Sequence, residues 1–278
     1  MKNKAINEIK NILNIEDSQI TDLKRFNQGM SNYTYYFKAL NNEYVLRLKG
    51  MAAEKYVDYE NEYNATLSLE NTNLTGELVY FNIKTGTKLS KYIKGTTLTK
   101  TTKSLAESLK RLHDIKTLNV NNYNLIERLN KYESYNETDI SNDYYEIKTW
   151  WINNYLNNYK NRPQVFCHND LQNINIIVND DQTYFIDFEY AAYNDIFYDF
   201  ASYEDDPLYL FELYFNKKPS DKDIEDIKFY QIYQSLQWYQ VALYKHNIGF
   251  SKETSYDFLE LTNYFINNAK TIYNQIKK

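Results

Sequence analysis

Two carboxylates and one amide stand out by their spacing. In the run Phe166-Cys167-His168-Asn169-Asp170-Leu171-Gln172-Asn173-Ile174-Asn175-Ile176-Ile177, Asp170 precedes Asn175 by five positions. Asp187 follows twelve positions later, in Phe185-Ile186-Asp187-Phe188-Glu189-Tyr190. A His-x-Asp-x-x-x-x-Asn run completed by a later Asp is the pattern of phosphoryl transfer with a kinase-like catalytic loop. Asp170 would orient an attacking hydroxyl and accept its proton as charge builds. Asn175 and Asp187 offer hard oxygen donors suited to Mg2+, which sits between few protein groups and nucleotide phosphates. The blander alternative is a hairpin whose turn-prone Asn and Asp solvate loop backbone. Short apolar strands on both sides, together with Asp187, favour the chemical reading. His168 is read as a packed residue that holds the loop rather than as a general base. Cys167 is read as core, because it falls inside a strand. No Ser or Cys motif supports a hydrolase triad.

Residues of this kind need rigid elements to hold them. Ile6, Ile9, Ile12 and Leu13 recur at helical spacing near the N-terminus. Strand-like runs follow at Tyr33 to Leu40 and Tyr44 to Leu48, separated by the turn pair Asn41-Asn42. Glu54 to Leu69 reads as a charged amphipathic helix. Leu78 to Phe81 and Leu89 to Ile93 read as strands around the turn Lys84-Thr85-Gly86. Beyond Gly95 the pattern becomes helical, through Leu105, Leu109 and Leu112 and then Tyr144 to Tyr159, closed by Pro163. A β island spans Val165 to Cys167, Ile176 to Val178 and Tyr184 to Ile186, with Asn179-Asp180-Asp181 as its turn. From Phe197 the chain reads as helical, with long segments at 221–247 and 252–276. The expectation is an α+β, two-lobed protein, with a small β-rich lobe over 1–94 and a larger, mainly helical lobe over 95–278. A ligand would bind between such lobes.

Composition narrows the function classes. Lys and Arg number 32 against 37 Asp and Glu, a net charge of −5, which disfavours a protein that coats nucleic acid. The lone cysteine, Cys167, excludes an internal disulfide framework and multi-thiolate zinc sites. The absence of an apolar run near 18 residues argues against membrane insertion. Met1-Lys2-Asn3-Lys4 leads into an amphipathic segment rather than an apolar signal core, so a cytoplasmic protein is expected. Thirty tyrosines and 17% aromatic residues are too many for a disordered chain. Only 6 glycines occur, so each is a candidate for a position that backbone geometry demands.

Four landmarks occur in order: Gln28-Gly29-Met30-Ser31-Asn32, Tyr44-Val45-Leu46-Arg47-Leu48-Lys49-Gly50, His168 to Asn175, and Ile186-Asp187-Phe188-Glu189-Tyr190. Together they resemble the choline/ethanolamine kinase family, and most of all its bacterial LicA-type members, within the wider aminoglycoside-phosphotransferase-like superfamily. The resemblance covers about residues 25 to 265. It implies a protein-kinase-like fold, ATP with Mg2+, and transfer of the γ-phosphoryl group to a small alcohol, choline first. On the same resemblance, Gly29, Met30, Ser31 and Asn32 would form the nucleotide loop, with backbone N–H groups and the Ser31 hydroxyl on the phosphates. Arg47 would grip the α- and β-phosphates and be oriented by a helix carboxylate, Glu62 in preference to Glu60. Tyr92 and Ile93 would form the hinge that reads adenine.

For the acceptor, the resemblance points to Gln172, Glu189, Glu204 and Asp206, with Asp205 adjacent, and to Trp238 and Tyr239. A quaternary ammonium donates no N–H, so aromatic faces and carboxylates must recognise it. The sequence departs from the family at two places. The second tryptophan three residues from Trp238 is missing, since Ser235 and Val241 occupy those positions, and Ile174 stands where relatives place glycine. Ethanolamine, thiamine or an aminoglycoside are alternative acceptors. A silent nucleotide-binding protein is the alternative of another class, disfavoured because Asp170, Asn175 and Asp187 are all present. A protein kinase is disfavoured because no obvious activation segment follows Asp187.

Overall fold

The computed structural model describes residues 1–26, 32–117, 119–136, 140–180, 182–252 and 256–277. The chain divides into two compact units, one of 1–98, 115–120 and 174–191, the other of 99–114, 121–173 and 192–278. In chain order the first stretch holds α1 (Lys2–Leu13), β1 (Thr21–Phe26), β2 (Asn32–Ala39), β3 (Asn42–Lys49), α2 (Tyr59–Ser68), β4 (Leu78–Asn82), β5 (Thr87–Lys91) and β6 (Thr96–Thr97). Next come α3 (Lys103–His113), α4 (Leu125–Glu133), α5 (Asn142–Asn154) and β7 (Gln164–Cys167). The hairpin β8 (Ile176–Asn179) and β9 (Gln182–Phe185) follows, then β10 (Ala192–Asp195), α6 (Phe197–Ser202), α7 (Pro207–Phe215), α8 (Asp221–Asn247) and α9 (Phe258–Ile276). The fold is α+β, with its large antiparallel sheet in the N-terminal part and helices dominating the C-terminal part.

The sheet of the first unit has the order β1-β2-β3-β5-β4. Period-2 alternation puts Tyr35, Phe37 and Ala39 of β2 and Tyr44, Leu46 and Leu48 of β3 on one face, packed with Leu89 of β5. Ala5 and Ile9 of α1 close this core. The intervening residues Arg47 and Lys88 belong to the other face and are direct partners across β3 and β5. Helix α2 begins where the Asp58 carboxylate accepts the Glu60 and Asn61 N–H groups. That cap explains why the helix expected from Glu54 starts five residues later. The preceding Ala53–Lys55 is only a 3₁₀ turn.

The β2–β3 turn is also shifted by one residue. Leu40 and Asn41, both at positive φ, form a two-residue loop, and Asn42 already pairs with Ala39. Strand β1 escapes the sequence reading because it is a polar edge strand with almost no buried residue. A second, small sheet of this unit has the order β6-β8-β9.

In the second unit β7 pairs antiparallel with β10. Its centre is α8, which is buried on nearly every side and so lacks an amphipathic stripe. Around it the Trp151 ring stacks on Phe229 (4.8 Å) and Phe229 stacks on Tyr159 (3.9 Å). Much of the tyrosine content is thus core. Helix α9 starts at Phe258, capped by Asp257, rather than at 252. Among the described residues no helix is long and apolar enough to cross a membrane.

Gly86 closes the β4–β5 turn at φ +68°, with its N–H donating to the Asn82 carbonyl. An added Cβ would lie 2.4 Å from the Tyr59 ring at the start of α2. Left-handed backbone and overpacking then act together. Gly86→Ala is expected to cost roughly 2–4 kcal/mol, read as a lowered urea midpoint with an unchanged m value.

Candidate functional site

Arg47 is the hub of the first unit's polar face. Its Nη2 donates to Glu62 Oε2 at 2.6 Å, and its Nη1 donates to Asp187 Oδ1 at 3.1 Å, with Glu189 Oε2 at 3.8 Å. Lys88 reaches the other oxygen of Glu62 at 3.4 Å. Asn32, at the start of β2, donates its amide to Glu189 at 2.9 Å. Of the two helix carboxylates considered for Arg47, Glu62 is the one that meets it, and Glu60 is exposed.

These groups move one another's proton affinities. Burial alone would lower the Arg47 pKa, but Glu62, Asp187 and Glu189 outweigh it and hold the guanidinium protonated. Burial pushes Glu62 up, yet Arg47 and Lys88 reverse this and keep it below the usual carboxylate range. Burial draws Lys88 down, with Glu62 opposing. Glu189 is pushed well up by burial and by the neighbouring Asp187. Two cations therefore face three carboxylates, of which Glu189 is the one pushed toward its neutral form.

The β8–β9 hairpin brings Asn175 beside Asp187. Ile176 pairs with Phe185, and the Ile186 N–H donates to the Asn175 carbonyl at 2.9 Å, so both candidate metal ligands leave the same end of the hairpin. Asn175 is buried, while the Asp187 side chain keeps about a third of its surface exposed, at 35%. Asp187 sits at φ 63°, the left-handed region that Asp tolerates. Gly95 permits β6 to run against this hairpin, since an added Cβ would stand 2.5 Å from the Val178 carbonyl oxygen.

Asp170 belongs to the second unit, in the loop after β7. A single buried carboxylate anchors this loop: Asp199 Oδ1 accepts the Asn169 N–H (2.7 Å) and Oδ2 accepts the His168 N–H (2.9 Å). His113 Nε2 lies 3.0 Å from Asp199 Oδ2, and its Nδ1 lies 3.0 Å from the Tyr214 hydroxyl. Asn169, also left-handed at φ 63°, donates to the Ala192 carbonyl and accepts from Asn194, tying the loop to β10. The Leu171 N–H donates to the Ser202 hydroxyl at 3.0 Å. His168 and Cys167 are fully buried, and burial pushes the Cys167 thiol well up, which fits core residues rather than nucleophiles.

The remaining candidates separate. Glu189, expected at the acceptor, meets Arg47 and Asn32 in the first unit, because two residues past Asp187 the chain is still in a 3₁₀ turn of that unit. In the second unit Glu204 accepts the Asn173 N–H at 3.2 Å. Asp205 binds the N–H and hydroxyl of Thr101, both at 2.8 Å. Asp206 is the N-cap of α7, accepting from Tyr209. Gln172 is half-buried, its N–H on the Asp170 carbonyl at 2.9 Å. Trp238 is half-buried, whereas Tyr239 is core, stacked on Tyr144 with its hydroxyl accepting the Ser141 N–H. The Tyr92 N–H donates to the Glu43 carbonyl, so this residue could offer adenine only its carbonyl; Ile93 follows it beyond β5. Gly29, Met30 and Ser31 lie outside the described residues.

Sequence reasoning missed Lys88, Asp199 and His113 as members of these networks. The signal for Lys88 was the strand register with Arg47. That for Asp199 was an acidic residue inside an otherwise apolar helix.

The sequence profile of the phosphotransferase enzyme family matches residues 22–206. The chain belongs to this family. Among curated relatives, Protein LicA of Haemophilus influenzae is 24% identical over 189 residues, 63% of this chain and 55% of the relative, so the match spans about half of that protein. Among solved structures, the choline kinase LicA of Streptococcus pneumoniae superposes with a TM-score of 0.81 at 22% identity, over 99% of both chains. The choline/ethanolamine kinase family protein of Mesorhizobium loti gives 0.79 at 17% identity, over 98% of this chain and 94% of its own. The phosphotransferase fold is thus shared along the whole chain.

Removing the Glu62 charge leaves two buried cations opposed. Glu62→Gln is expected to cost roughly 3 kcal/mol, whereas Glu60→Gln stays within about 0.5 kcal/mol. Because folding lowers the Glu62 pKa, the wild-type advantage over Glu62→Gln is full above its ordinary value of 4.5 and shrinks as pH falls below it. Urea titrations of both proteins between neutral and acid pH check the sign.

Proposed function

We propose that the protein is an ATP-dependent kinase of small alcohols and that choline is its acceptor, giving phosphocholine. The observation that carries the reading is the Arg47 guanidinium divided between Glu62 and Asp187. A cation shared between a helix carboxylate and a metal-type carboxylate is what a nucleotide-phosphate site requires. On this reading residues 1–94 form the nucleotide-binding lobe, with Gly29 to Asn32 over the phosphates and Tyr92 and Ile93 at adenine. Residues 95–278 carry the catalytic loop and the acceptor site, and cytoplasmic ATP supplies the reaction.

The donor set fits Mg2+: hard oxygens from Asn175 and Asp187, in a cluster whose carboxylates outnumber its cations by one. Bound there, the ion would neutralise charge on the transferring phosphates. Arg47 would hold the α- and β-phosphates in place. Asp170 would accept the acceptor hydroxyl proton as its oxygen bonds to the γ-phosphorus and the bond to the β-phosphate oxygen breaks. The anchoring of His168 and Asn169 on Asp199 supports this role by fixing the backbone just before Asp170.

Choline is the acceptor that fits the name of the Streptococcus pneumoniae neighbour. Trp238 supplies an aromatic face, and Gln172, Glu204 and Asp206 supply polar and negative charge in the same unit as Asp170. The burial of Tyr239 favours a second reading, ethanolamine, whose ammonium donates hydrogen bonds to carboxylates and needs fewer aromatic faces.

Coupled ADP release across choline, ethanolamine, thiamine and an aminoglycoside tests both readings. Choline is expected to give the highest kcat/KM; turnover with none of the four rejects the kinase assignment. Asp170→Asn should lower kcat by about 10²–10⁴-fold and leave the nucleotide Kd within threefold, measured by calorimetry with a nonhydrolysable ATP analogue.

A further inference from the structure

Arg47 and Lys88 stand directly opposite each other on β3 and β5. Like charges at such positions destabilise a sheet. With side-chain exposures of 9% and 13%, water screens little of the repulsion. Glu62, fully buried on α2, resolves the conflict by giving one oxygen to each cation. Lys88 Nζ is held further by the Thr66 hydroxyl at 3.3 Å, and that hydroxyl donates to the Glu62 carbonyl one turn back on α2.

The division of oxygens has a directional consequence. A carboxylate facing a guanidinium alone tends to close a two-pronged contact with both of its outer nitrogens. In this protein Lys88 occupies Glu62 Oε1, so Glu62 meets Arg47 through Oε2 and Nη2. Nη1 is left to point at Asp187, 3.1 Å away. We propose that Lys88 is a positioning residue for the nucleotide: it holds one oxygen of Glu62 and repels Arg47 across the strand pair. Nη1 is thereby kept on the Asp187 side, where phosphate would be gripped. This inference rests on the reading of Arg47 as the phosphate-binding cation.

The test uses Lys88→Met, Lys88→Gln and Lys88→Arg in the full chain. ADP and a nonhydrolysable ATP analogue are titrated by calorimetry, thermal unfolding is followed, and KM is measured for nucleotide and acceptor. Lys88→Met should weaken both nucleotides by about tenfold and raise the nucleotide KM in parallel, because Arg47 is misaimed. The acceptor KM should stay within about twofold, and Lys88→Arg should recover nucleotide affinity to within about threefold. In a Glu62→Gln background the same substitution should weaken binding by less than in the wild-type protein, since the route through Glu62 is gone and only the cross-strand repulsion remains. If Lys88→Met does not fold, Lys88→Gln, which is polar but lacks the charge and the reach of lysine to Glu62, carries the measurement. Wild-type nucleotide affinity in the folded Met or Gln variant, with only a lower melting temperature, overturns the inference. A wild-type protein that binds neither nucleotide overturns the phosphate-site reading itself and the inference with it.

Discussion

One buried carboxylate governs the polar face of the N-terminal sheet. Without Glu62, strands β3 and β5 would place two cations side by side in a poorly hydrated space. With it, a charged cluster forms whose desolvation is costly, and a well-packed apolar replacement would serve stability as well or better. The surroundings of the cluster are built to keep it fixed: Asp58 starts α2 at the right residue, and Gly86 lets the β4–β5 turn lie flat against Tyr59. The Gly86 carbonyl itself faces Arg47 Nη2, at 3.4 Å. The turn, the helix cap and the strand register are therefore parts of one constraint.

The second unit solves a related problem with hydrogen bonds instead of ion pairs. The backbone N–H groups of His168 and Asn169, just before Asp170, have no strand partner. Asp199 supplies both oxygens to consecutive N–H groups and is itself fixed by His113, which Tyr214 holds in turn. The ligand-type atoms of His113, Cys167 and Asp199 lie within 4.8 Å of one another. Hydrogen bonding accounts for that proximity, because both Asp199 oxygens already accept N–H donors. Left-handed Asn169 and Asp187 mark the two places where the backbone is bent to present a side chain.

Much of this was legible in the residues, for definable reasons. The alternation in β2 and β3 and the apolar strands around the catalytic-type loop are short-range signals, and the elements they predict are present. So is α8, over Asp221–Asn247, started by the Ser220 capping box and free of Gly and Pro along its length. The misplacements are equally physical. Strand β1 carries no apolar alternation because its faces are exposed, and α2 starts late because a cap outweighs helical composition. The contacts of Glu189 with Arg47 and Asn32 were not legible because sequence distance from Asp187 does not tell which unit the chain occupies. Lys88 was silent because a lysine on a strand looks exposed until its cross-strand partner is known.

Hydrogen bonds already made narrow what the residues proposed for the acceptor can do. Of the residues expected there, Asp206 spends an oxygen on the α7 cap and Tyr239 has its ring and hydroxyl within the helical core. Glu204 is exposed and uses one contact on the Asn173 N–H, two residues before Asn175. A cation drawn to Glu204 would therefore act on a group that already touches the loop between Asp170 and Asn175. Acceptor binding and loop position would then be coupled through that carboxylate. On the proposed function, charge at Glu204 would bear on how the hydroxyl is presented to Asp170, and aromatic surface at Trp238 on which ammonium is held.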